Sequence, residues 1–172
     1  MPMSSYVRAV RDKVGTMLLE VPTASVLVFD DRDRVLLVRH VEGNVWTTPG
    51  GMIEPGETPA DAAVRETWEE TGLAVELTRI VGVFGGPQCT STYANGDRIE
   101  WVSTVFEGRA IGGALRPDQA ETLEVRYVGI DEMRTLDRRA HVDLFVDAAL
   151  LRKPHALFQA PRWVPPSQEV IS

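Results

Sequence analysis

The sequence has little of several features that mark particular classes of protein. It contains one cysteine, Cys89, so no disulfide can form within the chain, which is typical of a reducing compartment. No apolar run approaches the roughly 20 residues that a membrane-spanning helix needs. Residues 1–13 carry charges where a secretory signal would be apolar. We therefore expect a cytoplasmic protein with no membrane partner, in which Cys89 is an inert thiol.

Basic residues are also scarce relative to acidic ones. The chain has 18 Lys and Arg against 25 Asp and Glu, a formal charge of −7, and its only lysines are Lys13 and Lys153. Binding of duplex DNA depends on neutralising phosphates, so this charge argues against a DNA partner. It leaves room for a local basic pocket that binds one small phosphate compound.

The chain does have the composition of one globular domain. Its 172 residues are 44% hydrophobic and 25% charged, which suffices for a sizeable core. Valines at 7, 10 and 14 recur at helical spacing, so residues 1–20 are expected to form a helical extension. Residues 21–152 would form the main domain. Residues 153–172 would form a tail with little regular structure, because it contains Pro154, Pro161, Pro165 and Pro166.

Helices and strands alternate along the main domain. Apolar runs at 23–29 and 35–38 around a polar turn predict a hairpin, and further strands are expected at 73–86, 99–106 and 123–130. The dipeptide Asn95-Gly96 predicts a tight turn. A helix at 58–70 is indicated by Thr58 and Asp61 as a capping box and by Gly72 as a stop. Helices at 131–136 and 137–152 complete an α/β or α+β layered domain.

The helix predicted at 58–70 has two contrasting faces. At about 100° per residue, one face is small and mainly apolar, whereas the other presents three carboxylates. Like charges at this spacing repel one another, and a divalent cation such as Mg²⁺ or Mn²⁺ would offset the repulsion. A solvated acidic face would show the same pattern, so the spacing alone leaves both interpretations open. The first face carries Ala60, Ala63, Val64 and Thr67, and the second Glu66, Glu69 and Glu70.

The segment from Gly51 to Leu73 resembles the Nudix box. That motif has a glycine, five residues, a glutamate, seven residues, then Arg-Glu, an aliphatic residue, any residue, Glu-Glu, any residue, a glycine and an aliphatic residue. Thr67 stands where the family usually has an aliphatic residue, and its hydroxyl is expected to bond back to a helix carbonyl. The matching positions are Gly51, Glu57, Arg65, Glu66, Glu69, Glu70, Gly72 and Leu73.

The resemblance implies an α/β/α sandwich with a mixed β-sheet. It also implies a hydrolase that uses one to three divalent cations, Mg²⁺ or Mn²⁺, to cleave a nucleoside diphosphate linked to another group. By position, the principal metal ligands or water-orienting base would be Glu66, Glu69 and Glu70. Auxiliary ligands would be Glu57 and the carbonyl of Gly50 or Gly51, and Arg65 would orient the glutamates.

Many members of that family use a further acid from a downstream loop. Glu121 is the first candidate for this catalytic role and Glu124 the second, while either could be a surface acid. Aromatic and arginine side chains could stack on a base or meet a phosphate. The substrate-binding candidates are Arg39, Trp46, Tyr93 and Arg98. Trp46 could instead pack in the core, and Tyr93 and Arg98 could form an exposed hairpin tip. His40 is expected to be an incidental surface residue.

Three functions fit these observations. The first is a metal-dependent hydrolase of a small nucleotide such as ADP-ribose, a nucleotide sugar or a nucleoside triphosphate. The second is an RNA 5′-end pyrophosphohydrolase, which would want a basic track for the RNA backbone. The third is a non-catalytic nucleotide-sensing module, which would be expected to have lost box glutamates. A homodimer could use the N-terminal helix and the tail, with Phe158 and Trp163, or both could fold back on their own domain.

Overall fold

The computed structural model describes residues 5–162 except 88 and 94. Among these residues, no helix is long and apolar enough to cross a membrane. The helices are α1 (Ser5–Val14), α2 (Pro59–Thr71), α3 (Ile130–Met133) and α4 (His141–Leu150). The strands are β1 (Leu19–Val28), β2 (Val35–His40), β3 (Trp46–Thr47), β4 (Gly50–Met52), β5 (Leu73–Phe84), β6 (Thr90–Thr92), β7 (Arg98–Gly113), β8 (Thr122–Val128) and β9 (Leu157–Phe158).

The strands form two sheets. The larger sheet has the order β4-β1-β7-β5-β9, with β6 also paired to β7, and the smaller has the order β3-β2-β8. In the larger sheet β1 runs parallel to β7, whereas β4 runs antiparallel to β1 and β5 antiparallel to β7, so the sheet is mixed. The expected α/β fold with a mixed sheet is confirmed.

The core is divided between the two faces of the larger sheet. On one face, Ala62 and Ala63 of α2 pack against Ala24 and Val26 of β1. On the other face, the buried residues of α4 pack in a cluster with β1, β5 and β7; it includes Leu27, Val81, Val105, Val142, Phe145 and Val146. A sheet with helices on both faces is the layered arrangement that the resemblance implied.

Helix α2 begins and ends where the sequence predicts. The Thr58 hydroxyl accepts a hydrogen bond from the Asp61 N–H at 3.1 Å, and the Asp61 carboxylate accepts from the Thr58 N–H at 3.3 Å. Gly72 adopts a φ of 73°, a left-handed conformation that favours glycine, and ends the helix. The Thr67 hydroxyl donates to the Ala63 carbonyl at 2.7 Å, as expected.

The burial of α2 differs from the prediction at several positions. Ala60 and Val64 are exposed, although both were placed on the packing face. Glu66 and Glu70 are buried at 2% and 3% exposure, whereas Glu69 is 54% exposed. The buried stripe is set by β1, β5 and β4, the strands that pack against the helix. The three glutamates are therefore divided between the interior and the surface.

The predicted hairpin at 23–38 is reduced to one antiparallel bridge, between Phe29 and Val35. Beyond it the two strands enter different sheets, β1 beside β7 and β2 beside β8. Residues 26–28 and 35–38 are all buried. A strand that is buried on both faces lacks the alternation that indicates its partner, so adjacency in sequence was misleading.

Residues 137–140 are not helical, although a helix was predicted from 137. They pair with β3 instead: the Trp46 N–H donates to the Asp137 carbonyl, and the Arg139 N–H donates to the Trp46 carbonyl, both at 2.9 Å. The tail also contains one strand that was not predicted. This strand, β9, runs parallel to β5. Trp163 lies outside the described residues.

Candidate active site

A cavity of about 610 Å³ runs along one face of the larger sheet. Its floor is formed by alternate residues of β1 and β7, and its rim by β4, the loop between β6 and β7, and the start of α4. Glu70 and Glu121 border it, and so does His40. The cavity therefore joins the predicted glutamate helix to parts of the chain that lie far from it in sequence.

Gly50 brings the backbone close to the glutamate helix. It has a φ of 149°, and a Cβ at this position would collide with the Ala24 carbonyl oxygen, so only glycine fits. From there the Gly50 N–H donates to Glu70 Oε2 at 2.9 Å. Burial nevertheless raises the pKa of Glu70 well above its usual value, and the Gly50 hydrogen bond only partly opposes this effect.

Arg65 holds three carboxylates and one carbonyl. Its Nε and Nη2 donate to the two oxygens of Glu57 at 2.7 and 2.9 Å, which lowers the pKa of Glu57 to about 2. Its Nη1 donates to Glu66 at 2.9 Å and to Glu69 at 3.1 Å, and its Nη2 also reaches the Met52 carbonyl at 3.2 Å. The guanidinium therefore contacts the acidic side chains that the resemblance expects it to orient.

Glu66 and Glu70 form a pair of buried carboxylates on α2. Burial raises the pKa of Glu66 to about 7, although Arg65 opposes the shift. An ionised carboxylate is costly to bury without a compensating charge. Hard carboxylate oxygens are the ligands that Mg²⁺ and Mn²⁺ prefer, so this donor set fits such an ion.

A second group of donors joins Glu70 across the cavity. One ligand atom each of His40, Glu70 and Glu121 lie within 4.8 Å of one another. Strand pairing explains this placement, because His40 on β2 lies opposite Thr122 on β8, and the Val41 N–H donates to the Glu121 carbonyl at 2.7 Å. The structure thus places Glu121 at the predicted glutamate cluster. Burial raises its pKa.

Sequence reasoning missed His40, which was expected at the surface. Its Nδ1 accepts a hydrogen bond from the Glu42 N–H at 3.3 Å, and burial lowers its pKa to about 4, so the imidazole is neutral at neutral pH. The sequence did carry a signal for His40, which ends a predicted strand, just as Glu121 comes before one. The structure pairs these two strands and places His40 opposite Thr122, the residue after Glu121.

The four candidate substrate residues are not brought together. Tyr93 borders the cavity, and burial raises its pKa. Trp46 is buried in the core, with the Arg126 guanidinium 4.8 Å from its ring centre. This agrees with the alternative given for Trp46, which was packing in the core. Arg39 lies beside Trp46 across the β2–β3 pair and contacts Glu124 at 3.2 Å.

Arg98 is exposed, and its side chain is absent from the described lining of the cavity. Successive side chains of a strand point to opposite faces, which explains why only one of each neighbouring pair on β2 and β3 reaches the cavity. Thr47, the neighbour of Trp46, borders the cavity, as does His40, the neighbour of Arg39.

Other lining residues carried no local signal in the sequence. Trp101 on β7 and His141 on α4 pack edge to face with ring centres 4.9 Å apart. The His141 Nε2 lies 3.0 Å from the Thr47 hydroxyl, and burial lowers the pKa of His141 to about 4. The hydroxyls of Thr48 and Ser103 are buried at the cavity and have no hydrogen-bond partner among the described residues.

Comparison with known proteins gives consistent matches. The NUDIX domain model matches residues 19–148. A MutT-like protein of Streptomyces ambofaciens is 31% identical over 153 residues, covering 89% of this chain and 92% of the relative. A putative 8-oxo-dGTP diphosphatase of Bacillus subtilis is 32% identical over 105 residues, which are 61% of this chain and 64% of that one. The structure of a NUDIX hydrolase from Nitrosomonas europaea superposes with a TM-score of 0.66 at 24% identity, over 83% of this chain and 98% of the other.

Proposed function

The chain belongs to the NUDIX family of hydrolases, and from that premise we propose that it cleaves the diphosphate bond of a small nucleoside diphosphate derivative with the help of Mg²⁺ or Mn²⁺. The observation that carries the proposal is the pair of buried carboxylates on α2. Glu70 reaches the cavity, and Glu66 is tied to Arg65 behind it. Buried acids of this kind cost folding stability, and binding a cation offsets that cost.

Glu66, Glu69 and Glu70 would hold the metal, with the Gly51 carbonyl as an auxiliary ligand. When bound, such an ion neutralises diphosphate charge and lowers the pKa of a water. For Glu57 we propose a different role from the one expected by position. Both of its oxygens accept hydrogen bonds from Arg65, and Oε2 also accepts one from the Glu54 N–H. We assign Glu57 to holding Arg65 in place.

Glu121 is the proposed general base. Its carboxylate lies across the cavity from α2 and near Glu70, where it can take the proton of an attacking water. Glu124 is a weaker candidate, because it contacts Arg39 at 3.2 Å and Arg126 at 3.3 Å, and both of these arginines lie outside the cavity lining. His40 is neutral at neutral pH and would donate or accept hydrogen bonds without carrying charge.

The substrate is proposed to be a small molecule of the ADP-ribose, nucleotide-sugar or nucleoside-triphosphate type. The cavity volume of about 610 Å³ lies in the usual range for small-ligand sites. An RNA 5′ end would need a basic track beside the cavity. Arg138 and Arg139 border it, but the Arg138 guanidinium is engaged by Asp143 at 2.7 Å, and Arg139 donates to the Glu42 carbonyl at 3.4 Å. A non-catalytic sensor is disfavoured, because the chain has kept Glu66, Glu69 and Glu70. A cytoplasmic location belongs to the same proposal, since Cys89 is a free, buried thiol.

Phosphate release tests the function across a substrate panel, after coupling to a phosphatase that acts on the monophosphate products or to a pyrophosphatase that acts on released pyrophosphate. The panel contains ADP-ribose, UDP-glucose, 8-oxo-dGTP and a 5′-triphosphorylated RNA, each assayed with Mg²⁺, with Mn²⁺ and with a chelator. We expect metal-dependent turnover of one small compound, abolished by Glu70→Gln and unchanged by Glu20→Gln, an exposed acid on β1. Turnover of the RNA alone would move the assignment to RNA ends. A silent panel with a protein that binds Mg²⁺ would support the sensor.

A further inference from the structure

Helix α1 lies outside the segment that the family model matches, yet it borders the cavity. The match begins at residue 19, whereas α1 spans Ser5–Val14. Val7 of α1 is buried and lines the cavity together with Tyr93, Asn95 and Asp97 from the loop between β6 and β7. We call these four residues the far wall.

Strand register shows how far this wall lies from the carboxylates. Gly50, whose N–H holds Glu70, lies opposite Ser25 on β1. At the other end of β1, Leu19 lies opposite Ile99, directly after the loop that carries the far wall. Six residues of a strand span roughly 20 Å. The far wall therefore faces the end of a ligand that is remote from the bond to be cleaved.

One side chain joins α1 to this wall. Arg11 is 7% exposed, and its guanidinium donates to the carbonyls of Gly15 at 3.0 Å, Met17 at 2.6 Å and Arg98 at 2.7 Å. Its Nε also lies 3.6 Å from a carboxylate oxygen of Asp97. A buried arginine with three carbonyl contacts is held in one position, unlike an arginine in an exposed ion pair.

Asp97 carries the connection into the wall. It is 7% exposed, its N–H donates to the Asn95 side chain at 3.0 Å, and its carboxylate accepts from the Asn95 amide at 3.0 Å. Its carbonyl accepts from the Tyr93 N–H at 2.9 Å. Tyr93 and Asn95 therefore take their positions from Asp97, and Asp97 lies against Arg11.

We infer that α1 is a specificity element and that Arg11 is a positioning residue, which places the far wall against the end of the substrate remote from the diphosphate. The inference rests on the proposed function for its substrate. It extends that function to a segment beyond the family match. Arg11 does not line the cavity itself and is not part of the carboxylate cluster, so its effect on the reaction passes through Asp97, Asn95 and Tyr93.

Arg11→Met tests the inference, because methionine keeps an unbranched apolar stem and removes every donor. Lys13→Met is the matched control, since Lys13 is an exposed cation on the same helix. Asp97→Asn, which keeps the shape of the side chain, serves as a second variant if Arg11→Met does not fold. Each is compared with the wild type for kcat and KM on the cleaved compound, and for amide hydrogen exchange over residues 89–101.

We expect Arg11→Met and Asp97→Asn to raise KM about tenfold with kcat within about twofold, the pattern of lost ground-state binding. Exchange over residues 89–101 should quicken while that of α2 does not, and Lys13→Met should match the wild type in both. An unchanged KM in variants with faster exchange would overturn the inference, as would an equal rise in Lys13→Met. If the wild type cleaves nothing, the proposed function fails separately. The far wall is then tested by calorimetric titration with ADP, where an unchanged affinity in Arg11→Met overturns it.

Discussion

The two ends of the cavity are built on opposite principles. At the carboxylate end, Glu66 and Glu70 are buried, and the charges around them are only partly compensated by Arg65. Behind the far wall, the buried charges of Arg11 and Asp97 face each other, with Arg11 bonded to three backbone carbonyls and Asp97 to the Asn95 amide. The first end keeps charge available for a ligand, whereas the second uses its charge to hold its own shape.

This difference has an energetic consequence. Buried acids whose pKa is raised destabilise the folded protein when they ionise, and a ligand of opposite charge reverses this. A buried ion pair that is hydrogen-bonded within its own chain has few free donors or acceptors for a ligand. Losing one partner costs folding free energy, because the other charge is left buried and unpaired. Removing a charge should therefore stabilise the metal-free protein at one end and destabilise it at the other.

The largest effect is expected for Glu70→Gln. Glutamine can still accept the Gly50 hydrogen bond but lacks the charge that a metal needs, so kcat should fall by about 10³-fold or more. In the metal-free protein the same change should raise the melting temperature, because the burial of a charge is relieved. Steady-state kinetics and thermal unfolding in chelator measure both, with Glu20→Gln as the control. A fall in both activity and melting temperature would contradict the contrast between the two ends.

The pH dependence of stability should have opposite signs at two buried groups. Burial lowers the pKa of His141 from 6.5 to about 4, so its neutral form is favoured on folding. Its contribution is present above pH 6.5 and is lost as the pH falls towards 4, by about 3 kcal/mol. Burial raises the pKa of Glu66 from 4.5 to about 7, so its contribution is present below pH 4.5 and is lost as the pH rises towards 7.

Urea unfolding of the metal-free protein between pH 4 and pH 8 measures these signs. Relative to the wild type, His141→Gln should flatten the loss of stability at acid pH, and Glu66→Gln should flatten the loss towards neutral pH. His40 also has a pKa lowered to about 4, so each variant is compared with the wild type at the same pH. Parallel curves for the wild type and either variant would show that burial does not set the charge state of that group.

The two ends also differ in how far the sequence predicts them. The capping residues of α2 and the spacing of its glutamates are local signals, and they placed the helix correctly but not the exposure of its three glutamates. Glu69 separated from Glu66 and Glu70 because burial is decided by the strands that cover the helix. No spacing along one helix can show which side those elements will occupy.

Of the far wall, the sequence indicated only Tyr93, because the contacts of the wall join distant parts of the chain. Arg11 and Arg98 are 87 positions apart, and nothing near either residue indicates the other. Placing Glu121 needed the β2–β8 register, which also carried His40 into the site. Trp46 was misplaced among the substrate candidates for a similar reason, since the side of the strand that its ring faces depends on its partner. Fold class and motif were therefore predictable, whereas the substrate-facing surface was not.

After Glu70→Gln, the next largest effect on kcat is expected for Arg65→Met. It leaves Glu57, Glu66 and Glu69 without their shared partner, so kcat should fall by about 10²-fold. Because the guanidinium is partly exposed, we expect a loss in unfolding free energy of only about 1–2 kcal/mol. Arg109→Met is the control, since Arg109 pairs with Glu76 between β7 and β5, where both side chains are more than half exposed, and should change neither quantity by much. Equal effects of the two variants would show that Arg65 acts only as a surface charge.

The smallest effect tests the sheet-facing side of α2, where Thr67 departs from the motif. Its hydroxyl donates to the Ala63 carbonyl, which is already paired within the helix. Thr67→Val therefore leaves no buried polar group without a hydrogen-bond partner. We expect a change of at most about 1 kcal/mol, towards greater stability, with kcat unchanged.

Thr71→Val is the matched comparison, because the Thr71 hydroxyl accepts from the buried Leu73 N–H at 3.1 Å. Losing that acceptor should cost about 1–3 kcal/mol. Urea unfolding of the two variants distinguishes a tolerated hydroxyl from a required one, and a larger loss for Thr67→Val would make the departure from the motif a structural requirement of this chain.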